Sequence, residues 1–257
     1  MYSIHSSKPK TALILAAGKG SRLGIQVNGT HKCLLRIAGK PLIRRMIDEL
    51  KENGITKIYL VVGHEAELIK DYFKDECEYI YNERYAETNS LYSLWLAKDY
   101  IKEPFVLLNS DILAHPMIIK KLIDVPGCAL TFDPSSGDQD EHMKVKFVDG
   151  KLKSIRKTLS NKDNDGESLG ILKFDEDGAK LIFNCAEKAI DERGEMTWAP
   201  AAVEQLASEC SIRGVDISGL PWTEIDFPED LVHAKETIWP AIADDDDMAI
   251  HIVKKKI

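Results

Sequence analysis

Three groups of residues in this chain could do chemistry on a phosphate. The first is Leu15-Ala-Ala-Gly-Lys-Gly-Ser-Arg-Leu23, a glycine-rich turn directly after an apolar run. Backbone N–H groups of such a loop approach phosphate oxygens closely, and an arginine such as Arg22 clamps two of them at once. Two named phosphate loops do not fit it. A P-loop needs Lys after its last glycine, but Ile25 follows Gly24, and a dinucleotide fingerprint wants a small residue where Leu23 stands. The second group is Lys32 in His31-Lys-Cys-Leu-Leu35, which by itself reads as a surface lysine. The third is a pair of aspartates at strand-to-helix junctions: Asp111, after Phe105–Asn109, and Asp226, in Trp222-Thr-Glu-Ile-Asp-Phe-Pro-Glu-Asp230. Hard carboxylate oxygens of this kind suit a divalent cation that also takes substrate phosphates. Taken singly, Asp111 reads as a turn residue and Asp226 as a helix N-cap, while Glu229 and Asp230 favour the start of the helix that Pro228 opens. The histidines show no metal-ligand spacing.

Taken together, the Leu-Ala-Ala-Gly-x-Gly-x-Arg-Leu turn, the lysine element 31–35 and Gly39-Lys40-Pro41-Leu42 resemble the nucleotidyltransferase family. Those enzymes join a nucleoside triphosphate to a phosphorylated acceptor and release pyrophosphate. The family writes proline before that lysine; here it is His31, a departure that leaves Lys32 in place. Tyr81-Asn82 and Thr88-Asn-Ser-Leu-Tyr-Ser-Leu94 resemble the branch of bacterial phosphocholine cytidylyltransferases and their phosphonate-activating relatives. The resemblance covers most of residues 11–240. It implies nucleotide contacts from Leu15, Ala16, Ala17, Gly18, Lys19, Gly20, Ser21, Arg22, Lys32, Tyr81, Thr88, Asn89, Ser90 and Asp111. Of these, Arg22 and Lys32 are the implied catalytic residues, and Asp111 with Asp226 is the implied Mg²⁺ pair. Thr88, Asn89 or Ser90 reads equally well as a plain N-cap, since a helix start has spare N–H donors for either task.

For the acceptor, Trp198 and Trp222 offer faces for a cationic group, Lys144 a contact for phosphate or phosphonate, and Glu167 a partner for a primary ammonium. Two rings with a carboxylate nearby suit a primary amine better than a trimethylammonium. The expected reaction is therefore Mg²⁺-dependent transfer from CTP to 2-aminoethylphosphonate or phosphoethanolamine, ahead of phosphocholine. A sugar-1-phosphate or inositol-1-phosphate nucleotidyltransferase is the alternative within the class, and a non-catalytic nucleotide-binding module the alternative outside it. A molybdopterin-type enzyme shares the glycine loop, but the 88–93 element argues against it.

The elements that must hold these residues alternate. Thr11–Ala16, Lys57–Val62, Tyr79–Asn82 and Phe105–Asn109 read as strands, with helices over residues 42–50, 65–73 and 89–101 between them. That rhythm predicts an α/β fold: a Rossmann-like twisted, mostly parallel sheet flanked by helices. After Asp111 the strands at 129–132, 144–148, 152–155 and 170–174 read as an inserted β-rich lid region. Helices follow at 176–191 and 198–208, then a strand at 215–217 and a last helix from Pro228. The expected division is an N-terminal extension 1–10, one nucleotidyltransferase domain 11–240 and a tail 241–257, either flexible or the start of a further unit.

Composition sets the outer limits. The 257 residues carry 42 acidic against 34 basic side chains, a net charge of −8, with 44% hydrophobic residues. Such a chain buries a full core, and its acidity argues against a nucleic-acid partner. No apolar run reaches the roughly 18–20 residues of a membrane span. The five scattered cysteines form no C-x-x-C pair, as expected of reduced thiols in a cytoplasmic protein. The expected partners are CTP and a small phosphate or phosphonate acceptor; a homodimer and a fusion partner beyond the tail stay open.

Overall fold

Thr11–Ala16 (β1) is buried at every position, because its two faces pack against two different layers. Leu13 and Leu15 point into one core with Leu91, Leu94, Ile182 and Leu206. Ala12, Ile14 and Ala16 point into the other, with Ile43, Ile47, Ile69 and Ile119. The computed structural model describes residues 8–27 and 30–244; the tail beyond Asp244 and residues 1–7 of the expected extension lie outside the described residues. In chain order β1 is followed by β2 (Arg36–Ile37), β3 (Lys40–Pro41), α1 (Leu42–Glu52), β4 (Lys57–Val62), α2 (Ala66–Phe73) and β5 (Glu78–Tyr81). Then come α3 (Ser90–Leu96), β6 (Phe105–Asn109), β7 (Ile112–Ala114), α4 (Pro116–Asp124) and β8 (Cys128–Asp133). The remainder is β9 (Lys144–Val148), β10 (Lys151–Arg156), β11 (Gly166–Phe174), α5 (Glu176–Arg193), α6 (Pro200–Glu209), β12 (Ile212–Asp216), β13 (Trp222–Glu224) and α7 (Pro228–His233).

The main sheet has nine strands in the order β5-β4-β1-β6-β11-β8-β12-β10-β9. The α/β architecture with flanking helices agrees with the sequence reading, but two particulars differ. Strands β5, β4, β1 and β6 are parallel, whereas β11 runs antiparallel to both β6 and β8, so the sheet is mixed. The β-rich middle third, expected as an inserted lid, continues this same sheet. Strand β11 inserts beside β6, and the β9–β10 hairpin, turned at Asp149-Gly150, extends the far edge. Strand β11 begins at Gly166 rather than residue 170, because polar Glu167 and Ser168 precede its apolar run. Helix α3 stops at Leu96 and passes into a 3-10 turn, Ala97–Asp99, short of the expected residue 101. Its N-cap is Asn89, whose Oδ1 accepts from Ser90 N. No helix among the described residues is long and apolar enough to cross a membrane, and all five cysteines are free thiols.

A third, smaller core decides where the chemistry sits. Leu23, Leu35, Ile37, Leu42, Leu113, Ile225 and Leu231 pack together beneath the glycine-rich turn. Strands β7 and β13 form a short antiparallel ribbon there, and Ile225 N donates to Asp111 O at 2.9 Å. Three segments far apart in sequence are thus pinned side by side. Replacing Ile225 by Ala should cost about 3 kcal/mol, the loss typical of a buried Ile truncated to Ala. A lowered urea midpoint would show it, while Leu68→Ala, at a side chain 40% exposed, leaves the midpoint nearly unchanged.

Candidate active site

A cavity of about 330 Å³ opens at the carboxyl ends of β1 and β6, the edge where open α/β sheets bind ligands. The turn after β1 forms one wall with Leu15, Ala17, Gly18, Gly20, Ser21 and Arg22. Gly20 has φ +59°, and a Cβ there would lie 2.9 Å from the Lys32 Cβ, so only glycine lets the turn close over Lys32. The opposite wall is the start of α3: Thr88, Asn89, Ser90 and Ser93. Asn82 holds it in place. Its Nδ2 donates to Thr88 Oγ1 at 3.1 Å and Ser93 Oγ at 3.2 Å, and its Oδ1 accepts from Arg84 N.

Charge gathers at the floor. The Lys32 ammonium is 2.8 Å from Asp111 Oδ2 and 2.5 Å from Asp226 Oδ1, in a side chain only 11% exposed. Burial by itself would lower the lysine pKa; the charges of Asp111 and Asp226 outweigh it and hold the pKa above the ordinary value, so Lys32 stays protonated. Arg22 Nη1 lies 3.3 Å from Asp226 Oδ2. Asp226 is itself fixed from behind, since Asp230 Oδ2 accepts the N–H groups of Asp226 and Phe227 at 2.9 and 2.7 Å. Glu224 adds a third carboxylate: oxygens of Asp111, Glu224 and Asp226 lie within 4.8 Å of one another. Enclosure of the Glu224 carboxyl by the protein, then the charges of Asp111 and Asp226, raise its pKa well above the usual carboxylate value, although cavities open onto the side chain. Asp111 Oδ1 is buried without a hydrogen-bond partner among the described residues. An all-oxygen set with one orphaned buried acceptor fits a hard divalent cation.

The structure gathers most of the expected nucleotide residues, but not all of them. Ala16 faces the core on the other side of the sheet. Lys19 is off the cavity wall, its ammonium 5.8 Å from the centre of the Tyr85 ring. Tyr81 is 46% exposed, with the Lys70 ammonium over its ring. Successive residues of an extended chain point to opposite faces, so Asn82, together with Tyr85, lines the cavity in place of Tyr81. The expected acceptor residues scatter. Trp198 borders both the main cavity and an adjoining pocket of about 130 Å³ floored by Leu107, Ile155, Leu172 and Val203. Glu167 and Trp222 instead line a separate cavity of about 430 Å³ that borders Glu224 and Asp226 from another side. There Trp222 Nε1 donates to Asp133 Oδ2 at 2.8 Å, and buried Glu167 accepts from Ser136. Lys144 is buried, donates to Asn161 Oδ1 at 3.0 Å, and reaches none of these three cavities.

Sequence reasoning passed over Glu224, Asn109, Tyr85 and His31. Glu224 carried a usable signal: in the extended stretch leading to Asp226, alternation puts both carboxylates on one face. Gly63 supports Tyr85, since a Cβ there would fall 2.6 Å from the Tyr85 Cβ and 2.9 Å from Ala17 O. Gly63→Ala should therefore displace both walls and cost about 1–3 kcal/mol of stability. The expected result is a lower melting midpoint and several-fold weaker nucleotide binding by calorimetry.

Residues 12–169 match the family described as the MobA-like NTP transferase domain. A bifunctional IPC transferase and DIPP synthase from Aquifex aeolicus is 33% identical over 231 residues, covering 88% of this chain and 51% of that protein. Bifunctional protein GlmU of Methanococcus maripaludis is 32% identical over 229 residues, 87% of this chain and 53% of that protein. The chain spans about half the length of these curated relatives. Among solved structures, the inositol-1-phosphate CTP transferase from T. maritima shares the fold, with a TM-score of 0.77 at 21% identity over 93% of this chain and 96% of that one. The CTP:phosphocholine cytidylyltransferase of Streptococcus pneumoniae has a TM-score of 0.74 at 26% identity over 90% of this chain and 99% of that one.

Proposed function

The chain belongs to the MobA-like NTP transferase domain family, a nucleotidyltransferase, and from that premise we propose that it moves a cytidylyl group from CTP to a phosphorylated polyol and releases pyrophosphate. The acceptor class meant is an inositol phosphate or a sugar phosphate. One observation carries it: the Lys157 ammonium lies over the Trp198 ring, 5.1 Å from its centre. A quaternary ammonium on the acceptor, which has no N–H to donate, needs an open aromatic face, and this face is already taken by a cation. The pocket beside it offers Asn109, Glu141, Lys157 and Ser168 around its apolar floor, a mix of donors and acceptors suited to hydroxyl groups. The 33% identity to the bifunctional IPC transferase and DIPP synthase of Aquifex aeolicus supports the same class. The second reading, a small aminoalkyl phosphate or phosphonate, is favoured by the cavity holding Asp133, Glu167 and Asp230, whose lining contains no Lys or Arg.

In the reaction, an oxygen of the acceptor phosphate forms a bond to the α-phosphorus while the bond to the β-phosphate oxygen breaks. That oxygen is already anionic, so no general base is required, and catalysis rests on positioning and charge. The backbone N–H groups of the 18–21 turn and the Arg22 guanidinium hold the outgoing phosphates. Lys32 leaves its carboxylates to neutralise charge at the α-phosphate. Asp111, Asp226 and Glu224 are the residues that would hold a divalent cation, Mg²⁺ in this reading. When bound, it supplies charge neutralisation for triphosphate and acceptor together.

Pyrophosphate release with CTP, Mg²⁺ and a panel of acceptors tests the reading. Asp111→Asn and Asp226→Asn should each lower kcat by about a hundredfold or more at an unchanged melting midpoint, and EDTA should abolish turnover. Near-wild-type turnover by either variant removes that residue from the site. Equal kcat/KM for CTP and UTP would contradict the cytidylyl assignment.

For the acceptor, polyol phosphates should exceed phosphocholine and phosphoethanolamine in kcat/KM. Lys157→Ala, by freeing the Trp198 face, should raise the phosphocholine value, and Glu167→Gln should change neither class. Preference for 2-aminoethylphosphonate or phosphoethanolamine, lost in Glu167→Gln, would decide for the second reading.

A further inference from the structure

His31, immediately before Lys32, lines the cavity wall and is 2% exposed. Its Nδ1 accepts from Cys33 N at 3.3 Å, capping the short 3-10 turn Lys32–Leu34 that presents Lys32. An imidazole nitrogen that accepts a backbone N–H carries no proton of its own, so in the neutral ring the proton is on Nε2. The ring is neutral here: burial, then the neighbouring His64, bring the His31 pKa down to about 4, against a weaker opposing effect of the Gly18 carbonyl, which lies near the ring but does not meet Nε2 in hydrogen-bond geometry. Nε2–H is therefore a donor, and it is buried without a hydrogen-bond partner among the described residues. Buried polar groups in folded proteins are nearly always paired, so an orphan in a ligand cavity points to an acceptor supplied by the ligand.

We infer that His31 Nε2–H donates to an oxygen on the ribose or triphosphate of the bound nucleotide, which rests on the reading of this cavity as the nucleotide site. Its surroundings select that part of the ligand. His31 abuts the Gly18 turn and Lys32, the groups that meet phosphates in the proposed reaction, and lies across the cavity from the α3 start. The donor is uncharged, so it adds orientation without adding to the positive charge of Lys32 and Arg22. His31 then has two roles on its two nitrogens: Nδ1 shapes the turn, and Nε2 binds.

Two substitutions separate the roles. In His31→Asn the amide oxygen can take the place of Nδ1 and accept from Cys33 N, while nothing reaches the position of Nε2. In His31→Gln the amide nitrogen reaches toward the Nε2 position, while the Nδ1 acceptor is lost. Calorimetric titration with CTP, steady-state kinetics and melting midpoints are measured on wild type and both variants. His31→Asn should weaken CTP binding and raise the nucleotide KM about tenfold, the loss of one hydrogen bond to a ligand, with kcat within about twofold and a near-native midpoint. His31→Gln should bind CTP within about threefold of wild type and melt lower. The tenfold penalty should be the same for every triphosphate that binds, because the contact is not to the base. Wild-type affinity in His31→Asn overturns the inference, as does a folded His31→Gln that binds tenfold more weakly. Wild-type protein that binds none of CTP, UTP, ATP and GTP overturns the nucleotide reading itself, and this inference with it.

Discussion

The Lys32 ammonium, held between Asp111 and Asp226, is the contact on which the rest of the site depends. Each of the three groups would be costly to bury alone. A desolvated ammonium loses several kcal/mol of hydration, and so does each carboxylate, so removing Lys32 strands both carboxylates, whereas removing one aspartate leaves the ammonium paired with the other. The fold spends much of its local design on keeping the three together. Gly20 makes room for the lysine stem, the β7–β13 ribbon brings Asp111 and Asp226 side by side, and Asp230 locks the Asp226 backbone. The apolar cluster of Leu23, Leu35, Leu113, Ile225 and Leu231 lies directly beneath and makes the arrangement rigid. In the proposed reaction the same charges change partners rather than being exposed: Lys32 trades its carboxylates for phosphate oxygens, and the carboxylates trade it for a divalent cation.

How much of this could be read from the sequence follows from what each feature displays locally. Strands β1, β4 and β6 are buried on both faces and show as unbroken apolar runs. Helix α1 is announced by Pro41 before it and Asn53-Gly54 after it. The glycine turn, Lys32, Asp111 and Asp226 stand out by type and spacing, and the structure brings them to one cavity. What stayed hidden lacks a local signature. Strands β7 and β13 have three residues each, too short to show a period, yet they place the carboxylates. Tyr81 and Asn82 were separable only by parity along an extended segment, and a large aromatic drew attention from the smaller, buried amide.

The acceptor side was the least legible because it is assembled by sheet register. Strand β11 inserts between β6 and β8, and only that order brings Ser168, Gly170 and Leu172 to the pocket beside Asn109. Gly170 is required there: at φ +71°, a Cβ would fall 2.4 Å from Asn109 Nδ2. Glu167 lies next to Ser168 in sequence but lines the separate cavity, where Ser136 and His142 face it. Lys144 pairs with Glu167 across the β9–β11 register, yet its ammonium is satisfied by Asn161. Residue types that suit an ammonium or a phosphate were present in the sequence; the pleat sent them elsewhere.

The main cavity and the pocket beside Trp198 are also joined by charge. Lys32 pairs with Asp226, Asp226 with Arg22, Arg22 approaches Glu141 at 4.0 Å, and Glu141 pairs with Lys157 at 2.9 Å. Lys157 in turn covers the Trp198 ring. The outer members are half exposed and individually weak, screened by solvent, whereas the Lys32 end is buried and strong. The row is thus anchored at Lys32 and soft toward Glu141. A phosphate that draws Arg22 away from Asp226 also removes the more distant of the two cations beside Glu141 and leaves the nearer one, Lys157, in place. In the proposed function, an acceptor that needs a bare aromatic face meets Lys157 over Trp198, whereas one that bonds to Lys157 and Glu141 finds them where they stand.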